Sequence, residues 1–233
     1  MPETKNDFML LAVHTDREFT VWLQRHAEAD WWLQENRGNT FVFLKKPYAG
    51  KRICSYTVNS PALGVSAEDV FYDELDDLRK KGWRLLAMGM PEKFTDKTRH
   101  AFLAETPRKD LPHPEIPLSD PAGQAALLRA ALKKSLSTLA LCLLYAAVIL
   151  FCMIFRPALI GGLPGTVYLI LTAAVLLPCM YFSVKAALLY AKAVRDPETD
   201  TAEQDFQCLD RAVVLSMAML AILAAYLILD LFI

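Results

Sequence analysis

The histidine and acidic side chains are the first residues to consider for a catalytic or metal site, and their spacing does not favour one. The acidic run on the second predicted helix points in several directions and cannot converge on one cation. A solvated helix face is the preferred interpretation. The histidines lack the spacing of metal ligands, so no catalytic residue, metal or cofactor is predicted. These residues are His14, His26, His100 and His113, and Asp73, Glu74, Asp76 and Asp77.

The five cysteines fit a packing role. No pair has C-x-x-C or zinc-ligand spacing, and three lie inside long apolar runs, so neither a disulfide nor a metal site is predicted. P-loop, dinucleotide-binding, G-x-S-x-G and H-E-x-x-H motifs are absent from the sequence. The cysteines are Cys54, Cys142, Cys152, Cys179 and Cys208.

The charged residues divide the chain into two parts that suit different solvents. Residues 1–135 hold 20 basic and 19 acidic side chains, whereas residues 136–233 hold 5 and 7. The first part has the composition of a soluble domain, and the second is too apolar to be soluble. A net charge of −1 without a long basic stripe argues against direct nucleic-acid binding. A membrane protein with a soluble N-terminal domain is therefore predicted.

Three apolar runs are long enough to cross a lipid bilayer. Residues 136–155 and 163–182 are each twenty residues without a charge. Twenty helical residues extend about 30 Å, which is the thickness of the hydrocarbon core. The third span is predicted at residues 213–231. The bilayer is therefore an expected partner, and alanines on the spans permit close packing within one chain or in a homo-oligomer.

Basic residues beside the spans predict the orientation in the membrane, because Lys and Arg resist translocation. The four successive segments that flank the spans carry three, one, four and no such residues. This pattern predicts a cytoplasmic N-terminus and a C-terminus outside. Charges occur throughout the first thirty residues, so no signal peptide is expected. The soluble domain is accordingly placed in the cytoplasm.

Residues 1–105 are interpreted as two copies of a strand–helix–strand–strand unit. The first copy covers about residues 7–45 and begins with an apolar strand at Phe8–Val13. A capping box at Thr15–Glu18 opens its helix. Two further strands are joined by a tight turn at Gly38-Asn39, a pair that favours type II′ geometry.

The second copy covers about residues 51–105 and repeats this order. Ser66 and Asp69 form its capping box, and Gly82 ends its helix. Superposition of the copies places Trp31 opposite Trp83, each directly after a helix. An aromatic side chain there can wedge the helix against the sheet, and this core role is preferred to a ligand platform. The predicted fold class is α+β, with two helices on an antiparallel or mixed sheet.

The segments FTVWLQRHAEADWWL, FVFLKK and DLRKKGWRLL carry a family resemblance. Together they resemble the bacterial family catalogued as domain of unknown function 2812, over about residues 15–125. The most specific piece is the Gly82-Trp83 junction after an amphipathic helix. The resemblance implies a cytoplasmic domain joined to membrane spans, with a transcription regulator as one possible partner, and it implies no catalytic residues.

A proline-rich linker is predicted at residues 106–121, where five of sixteen residues are proline. Such a segment favours extended polyproline-like conformation and acts as a semi-rigid spacer. Asp120 followed by Pro121 is a good start for a helix. That helix is expected to run directly into the first span of a membrane domain at residues 122–233.

Four exposed candidates for binding a ligand or partner flank the helix–strand junctions. Trp32, Tyr48, Tyr72 and Arg84 could line a groove between the two copies, or they could simply cover the sheet edges.

The preferred functional hypothesis is a membrane-anchored regulatory or sensory protein that is not an enzyme. Its cytoplasmic domain would bind a partner protein or a small ligand. The alternative is an accessory subunit of a membrane transporter, which would contact a larger membrane protein through its spans. An enzyme that acts on a lipid or another membrane-bound substrate is the third hypothesis.

Overall fold

The computed structural model describes residues 3–11, 13–59, 67–89, 98–106, 114–117, 121–155, 162–196, 201–202 and 204–232. The chain forms two compact units, Met1–Ala130 and Ala131–Ile233. The first unit contains all the described strands together with two short helices, and the second consists of long apolar helices.

The N-terminal unit contains two three-stranded antiparallel sheets. Its elements are β1 (Thr4–Phe8), α1 (Asp16–Glu28), β2 (Trp31–Arg37), β3 (Thr40–Lys45), β4 (Ile53–Asn59), α2 (Ala67–Lys80), β5 (Trp83–Gly89) and β6 (Thr98–Glu105). The strand orders are β1-β3-β2 and β4-β6-β5, so the last strand of each set lies at the centre of its sheet. The α+β combination of helices and strands is as predicted, but the strands form two antiparallel sheets and not the single sheet that was expected.

The position of β1 differs from the prediction. The strand is the polar segment Thr4–Phe8 and not Phe8–Val13. Met9 and Leu11 are nevertheless buried, because this segment binds the β2–β3 turn. The Met9 N–H donates to the Asn39 backbone carbonyl and the Leu11 N–H to Asn39 Oδ1, each at 3.0 Å. The apolar run therefore indicated burial of Met9 and Leu11 correctly, but a turn residue, and not a neighbouring strand, supplies their hydrogen-bond partners.

The local signals for α1 and for the first hairpin are confirmed. Thr15 accepts a hydrogen bond from the Glu18 N–H, and the Glu18 carboxylate accepts one from the Thr15 N–H. Gly38 has a φ of 61°, as the first central residue of a type II′ turn requires. The second predicted capping residue, Ser66, lies outside the described residues.

Both short helices are followed by a residue in the left-handed conformation, directly before a tryptophan. Asp30 has a φ of 66° and Gly82 a φ of 97°. Glycine adopts this conformation without steric cost. Asp30 is stabilised in this conformation by a side-chain hydrogen bond, because its carboxylate accepts from the Tyr48 N–H at 2.7 Å. The Asp30-Trp31 and Gly82-Trp83 junctions thus turn the chain in the same way.

The two junction tryptophans differ in burial. Trp83 is only 2% exposed and packs in the core of the second sheet beside Leu78 and Leu103. Trp31 is half-buried, and Lys45 Nζ lies 5.7 Å from the centre of its ring. Trp83 therefore fixes its junction by packing, whereas Trp31 lies at the surface of its sheet.

An aromatic core connects α1 with both sheets. Phe19 and Trp22 of α1 are 0% and 2% exposed. The Phe19 ring centroid lies 5.9 Å from that of Phe41 on β3 and 5.4 Å from that of Phe102 on β6. The Trp22 ring meets Phe41 edge-on at 4.8 Å. One helix therefore covers apolar side chains from both sheets.

Part of the proline-rich segment is attached to the second sheet. Within residues 106–121 the structure describes positions 106, 114–117 and 121. The Pro114 carbonyl accepts a hydrogen bond from Arg52 Nη2 at 2.6 Å, and the Glu115 carbonyl accepts one from Trp83 Nε1 at 3.1 Å. Residues 114–117 are therefore held in place by side-chain donors and do not act as a free spacer.

Three long helices form the apolar part of the chain. They are α3 (Pro121–Phe155), α4 (Gly162–Arg195) and α5 (Cys208–Phe232), and each is long and apolar enough to cross a membrane. Large apolar side chains face outward on them, for example Leu144 at 63% and Leu188 at 69% exposure. Such faces suit contact with lipid, as expected of a multi-pass membrane protein.

The three predicted spans lie within these helices. α3 is continuous from Pro121 into the first span, as the sequence predicts. α4 includes Pro178 and ends at Arg195. The sequence also predicts an acidic capping pair before the third span, Asp200 and Glu203, and both positions lie outside the described residues.

Candidate functional site

A row of polar side chains on α1 binds the free edge of the second sheet. β4 is an edge strand, because only β6 pairs with it. The contacts are Thr57 N–H to Asp16 Oδ2 (2.7 Å), Ser55 N–H to Thr20 Oγ1 (3.0 Å) and Ile53 N–H to Gln24 Oε1 (3.1 Å). Unpaired edge strands invite pairing with other chains, and α1 satisfies this edge from within the unit.

The spacing of the two rows explains why they match. The acceptors on α1 are four residues apart, a rise of about 6.0 Å along the helix. The donors on β4 are two residues apart, about 6.6 Å along the strand. Three successive contacts therefore stay in register before the two repeats drift apart.

Asp16 is the centre of this contact. Its Oδ1 accepts hydrogen bonds from Ser55 Oγ at 2.7 Å and from Thr57 Oγ1 at 2.6 Å. Its Oδ2 accepts from the Thr57 N–H at 2.7 Å and from Gln124 Nε2 at 3.1 Å. The residue is 8% exposed, and a buried carboxylate needs such donors in place of its hydration.

Gln124 connects this carboxylate to the long helix α3. Its Nε2 donates to Asp16 Oδ2, and its Oε1 accepts from the Asp16 N–H, each at 3.1 Å. Two bonds in opposite directions fix the orientation of the amide. Gln124 lies in the first turn of α3, the helix that continues to Phe155. The start of α1, the edge of β4 and the start of α3 therefore meet at Asp16.

His100 of β6 lies beside the same network and is fully buried. Its Nδ1 is 3.1 Å from Thr57 Oγ1 and 3.9 Å from Asp16 Oδ1. Thr57 gives its hydroxyl proton to Asp16, so its oxygen accepts a hydrogen bond from Nδ1–H of His100. Among the described residues, no hydrogen-bond partner reaches the other ring nitrogen, Nε2.

The hydrogen-bonded series Asp16, Thr57 and His100 resembles the arrangement that activates a hydroxyl nucleophile. The burial of these side chains does not suit that chemistry. Thr57 is 2% exposed and His100 is 0% exposed, so a substrate has no access to the hydroxyl. A general base must also reach the proton that it removes, and the Thr57 proton points to Asp16. This cluster is therefore suited to holding the helices and the strand together.

A second buried histidine–carboxylate pair lies at the start of α1. His14 Nδ1 is 3.2 Å from Glu18 Oε2, and both side chains are 0% exposed. The same carboxylate oxygen accepts a hydrogen bond from the Thr15 N–H at 2.8 Å. The capping box thus extends to His14 and anchors the segment that precedes the helix.

Cys54 lies on β4 near Asp16 and is fully buried. Burial raises the pKa of its thiol well above the ordinary value, and the negative charge of Asp16 raises this pKa further. Because the thiolate is the reactive form, Cys54 suits packing better than nucleophilic chemistry. Among the described residues, no group of three or more His, Cys, Asp or Glu side chains could hold a metal ion.

Two of the predicted binding residues, Tyr72 and Arg84, border one cavity of about 320 Å³. Apolar side chains and Trp83 line it together with a second guanidinium group, that of Arg79. Within the described part of the chain, neither arginine forms an ion pair. The full lining is Tyr72, Leu75, Asp76 and Arg79 of α2, Trp83, Arg84 and Leu85 of β5, and Leu103 of β6.

The other two predicted binding residues, Trp32 and Tyr48, lie together elsewhere. Their rings stack with centroids 6.2 Å apart, and the Tyr48 hydroxyl accepts a hydrogen bond from Gln24 Nε2 at 2.9 Å. The structure therefore separates the four predicted residues into two pairs.

A groove between the two sheets does exist, but its lining differs from the prediction. A cavity of about 380 Å³ lies between β2 and β5, and none of the four predicted residues lines it. Its lining residues are Gln34, Glu35, Asn36, Gly38, Leu86, Ala87 and Met88.

The network around Asp16 was not identified from the sequence. The spacing of Asp16, Thr20 and Gln24 places three polar side chains on one face of α1, and Ser55 and Thr57 alternate on β4. Either pattern is also typical of an exposed surface. The two sets of side chains form one contact only because α1 packs against β4 in the tertiary structure.

Comparison of the chain with models of protein families, with curated proteins and with solved structures finds no match. Membership of the domain of unknown function 2812 family therefore stays a prediction.

Proposed function

We propose that this protein is a membrane-anchored regulatory or sensory protein without catalytic activity. Its N-terminal unit lies in the cytoplasm and binds a small ligand or a partner protein. Helix α3 transmits that binding event toward the membrane. The distribution of basic residues beside the spans supports this orientation, because the more basic flanks belong to the cytoplasmic side.

The observation that carries this proposal is the paired hydrogen bond between Asp16 and Gln124. Gln124 belongs to the first turn of a helix that continues without a break to Phe155. Asp16 also holds the edge of β4 through Thr57. A change in the second sheet therefore has a direct route, through one carboxylate, to the helix that contains the first span.

The proposal includes an internal duplication in the N-terminal unit. Each sheet has its third strand at the centre. The pairing register of β2 shifts between Leu33 and Glu35, and that of β5 shifts between Leu85 and Ala87. Both shifts follow a tryptophan by the same number of residues, and a left-handed residue precedes each tryptophan. Two copies of one unit account for all of these features.

The ligand site of this proposal is the cavity beside Tyr72 and Arg84. Its volume of about 320 Å³ lies at the lower end of the range of small-molecule pockets, roughly 300–1,000 Å³. The apolar lining supplies contact area, and Arg79 and Arg84 supply two positive charges against the one negative charge of Asp76. A small molecule with an anionic group, or an acidic segment of a partner protein, would fit this chemistry.

The experiment is purification of the intact tagged chain from its native membrane in mild detergent, followed by mass spectrometry of what remains bound. The cavity is tested with Arg84→Glu, and Lys81→Glu serves as a matched control outside the cavity. We expect the bound molecule to be lost from Arg84→Glu and retained by Lys81→Glu.

Transmission is tested by hydrogen–deuterium exchange of the first turns of α3, with and without the bound molecule. Binding should slow exchange there in the wild-type chain. In Gln124→Ala this effect should disappear while binding persists, and Gln34→Ala, which changes an exposed glutamine on β2, should behave like the wild type. The proposal would be contradicted by a bound molecule that changes amide exchange neither around the cavity beside Arg84 nor in the first turns of α3.

The second candidate function is an accessory subunit of a membrane transporter. The observation that favours it is the outward-facing surface of α5, where Ala221, Ala224 and Ala225 are exposed. Small side chains permit close contact with a neighbouring helix. This function would be favoured if a larger membrane protein co-purifies with the chain, and if it remains bound to the Arg84→Glu variant. Its binding should be lost when Ala224 and Ala225 are changed to leucine.

A further inference from the structure

Two cysteines from different membrane-spanning helices touch each other. Cys142 of α3 and Cys179 of α4 have their Sγ atoms 3.2 Å apart, and both residues are 0% exposed. Cys179 Sγ also lies 3.3 Å from the backbone carbonyl oxygen of Ala212 on α5. The two thiols therefore sit where all three helices meet.

The surroundings of this pair are apolar. Tyr145, Leu176 and Met219 complete the same buried cluster. The remaining cysteines, Cys54, Cys152 and Cys208, are also free thiols. Within the part of the chain that the structure describes, Cys142 and Cys179 are the one cysteine pair with sulfur atoms in contact. Their spacing of 37 residues gave no sign of this in the sequence.

We propose that Cys142 and Cys179 form a dithiol site that closes reversibly to a disulfide between the first and second spans. A disulfide needs an S–S distance of about 2.05 Å, so the sulfur atoms have to approach by about 1.2 Å. The site is independent of the ligand site of the N-terminal unit.

The oxidant is a lipid-soluble quinone, because charged disulfides in water do not enter the bilayer. The helices shield both sulfur atoms, so the quinone reacts with the pair when α3 and α4 move apart within the bilayer. Both S–H bonds break and one S–S bond forms. The two electrons and two protons pass to the quinone, which becomes a hydroquinone. A small dithiol reverses the reaction by thiol–disulfide exchange.

Oxidation changes the contacts among the three helices. In the reduced state Cys142 donates its S–H to Cys179, and Cys179 donates to the Ala212 carbonyl. The disulfide has no S–H donor, so α5 loses its contact with Cys179 while α3 and α4 become covalently linked.

The test uses the intact chain in its native membrane vesicles, treated with decylubiquinone and then denatured in an alkylating reagent. Peptide mass spectrometry should find Cys142 linked to Cys179, with alkylation of the two residues reduced to the same extent. Dithiothreitol should restore it. Cys152 should stay alkylated throughout, and the Cys152→Ser control should form the link like the wild type.

The Cys142→Ser variant should lose the link and leave Cys179 fully alkylated. Its elution as a single species in gel filtration and its helical circular dichroism verify that it is folded. Complete alkylation of both cysteines after treatment with copper–phenanthroline would overturn the proposal, as would equal linkage to Cys152. A link that forms with copper–phenanthroline but not with the quinone would overturn the assignment of the oxidant.

Discussion

Replacement of Asp16 by alanine is expected to destabilise the N-terminal unit strongly. The substitution removes an acceptor that is 8% exposed and binds Ser55, Thr57 and Gln124. These groups lie where water cannot readily replace the lost carboxylate.

The size of the effect follows from the donors that lose their partner. An unsatisfied buried donor costs about 1–3 kcal/mol. The hydroxyls of Ser55 and Thr57 can rotate toward other acceptors, but the Thr57 N–H is fixed on the edge strand. We therefore expect a decrease of about 3 kcal/mol in the free energy of unfolding, in the range for breaking a buried charged network. For a unit of this size the melting temperature should fall by about 10 °C.

Tryptophan fluorescence is a selective assay for this prediction. All four tryptophans, at positions 22, 31, 32 and 83, belong to the N-terminal unit. Thermal unfolding of the intact protein in detergent, followed by this signal, therefore reports on the unit that contains Asp16. Hydrogen–deuterium exchange should locate the damage at the amides of Ile53, Ser55 and Thr57.

Two further variants make the prediction specific. Asp16→Asn retains an acceptor oxygen and should cost less than Asp16→Ala, whereas Asp73→Ala removes an exposed carboxylate and should leave stability within about 0.5 kcal/mol. A loss below about 1 kcal/mol in Asp16→Ala, within the range of a single ordinary hydrogen bond, would refute the reasoning. Unchanged exchange of the β4 amides would refute it as well.

Three other predictions concern the same unit and use the same fluorescence signal. Gln24→Ala should cost about 1 kcal/mol and speed amide exchange at Ile53, with Ser55 unaffected, because the Ile53 N–H donates to Gln24 Oε1 and the Ser55 N–H donates to Thr20 Oγ1. Gly82→Ala should cost about 1–2 kcal/mol, since its φ of 97° strains any residue with a Cβ; no change in melting temperature would contradict this. The hydrogen bond from His26, with help from the Phe8 N–H and Lys5, holds the pKa of Asp7 below its ordinary value. The stability that Asp7 contributes is therefore present above its unfolded pKa of about 3.9 and is lost as the pH falls toward the lower folded pKa. Asp7→Asn should make the free energy of unfolding less dependent on pH in this acid range. An unchanged pH profile would contradict this prediction.

Several elements could be predicted because their signals are local. The capping box at Thr15 and Glu18 joins residues three positions apart, and the turn at Gly38 depends on one backbone angle. The three apolar helices follow from runs of side chains that lipid accepts and water does not. In each case the residues that determine the conformation are close together in the sequence.

Burial and hydrogen bonding could not always be separated by such patterns. The apolar run at residues 8–13 predicts a strand, and Met9 and Leu11 within it are buried. Their N–H groups bind Asn39, which lies about thirty residues further along the chain. An apolar run indicates that a segment is buried, but it does not indicate which group pairs with its backbone.

The sequence by itself determined the soluble N-terminal composition, the α+β elements other than β1, and the three apolar helices. Only the tertiary structure brought Asp16 to Gln124 across 108 residues and Cys142 to Cys179 across 37. The physical reason is the range of the interactions. Helix caps, turns and apolar runs draw their free energy from neighbours in the chain, whereas the partner of a buried carboxylate or thiol depends on how separate helices and strands pack.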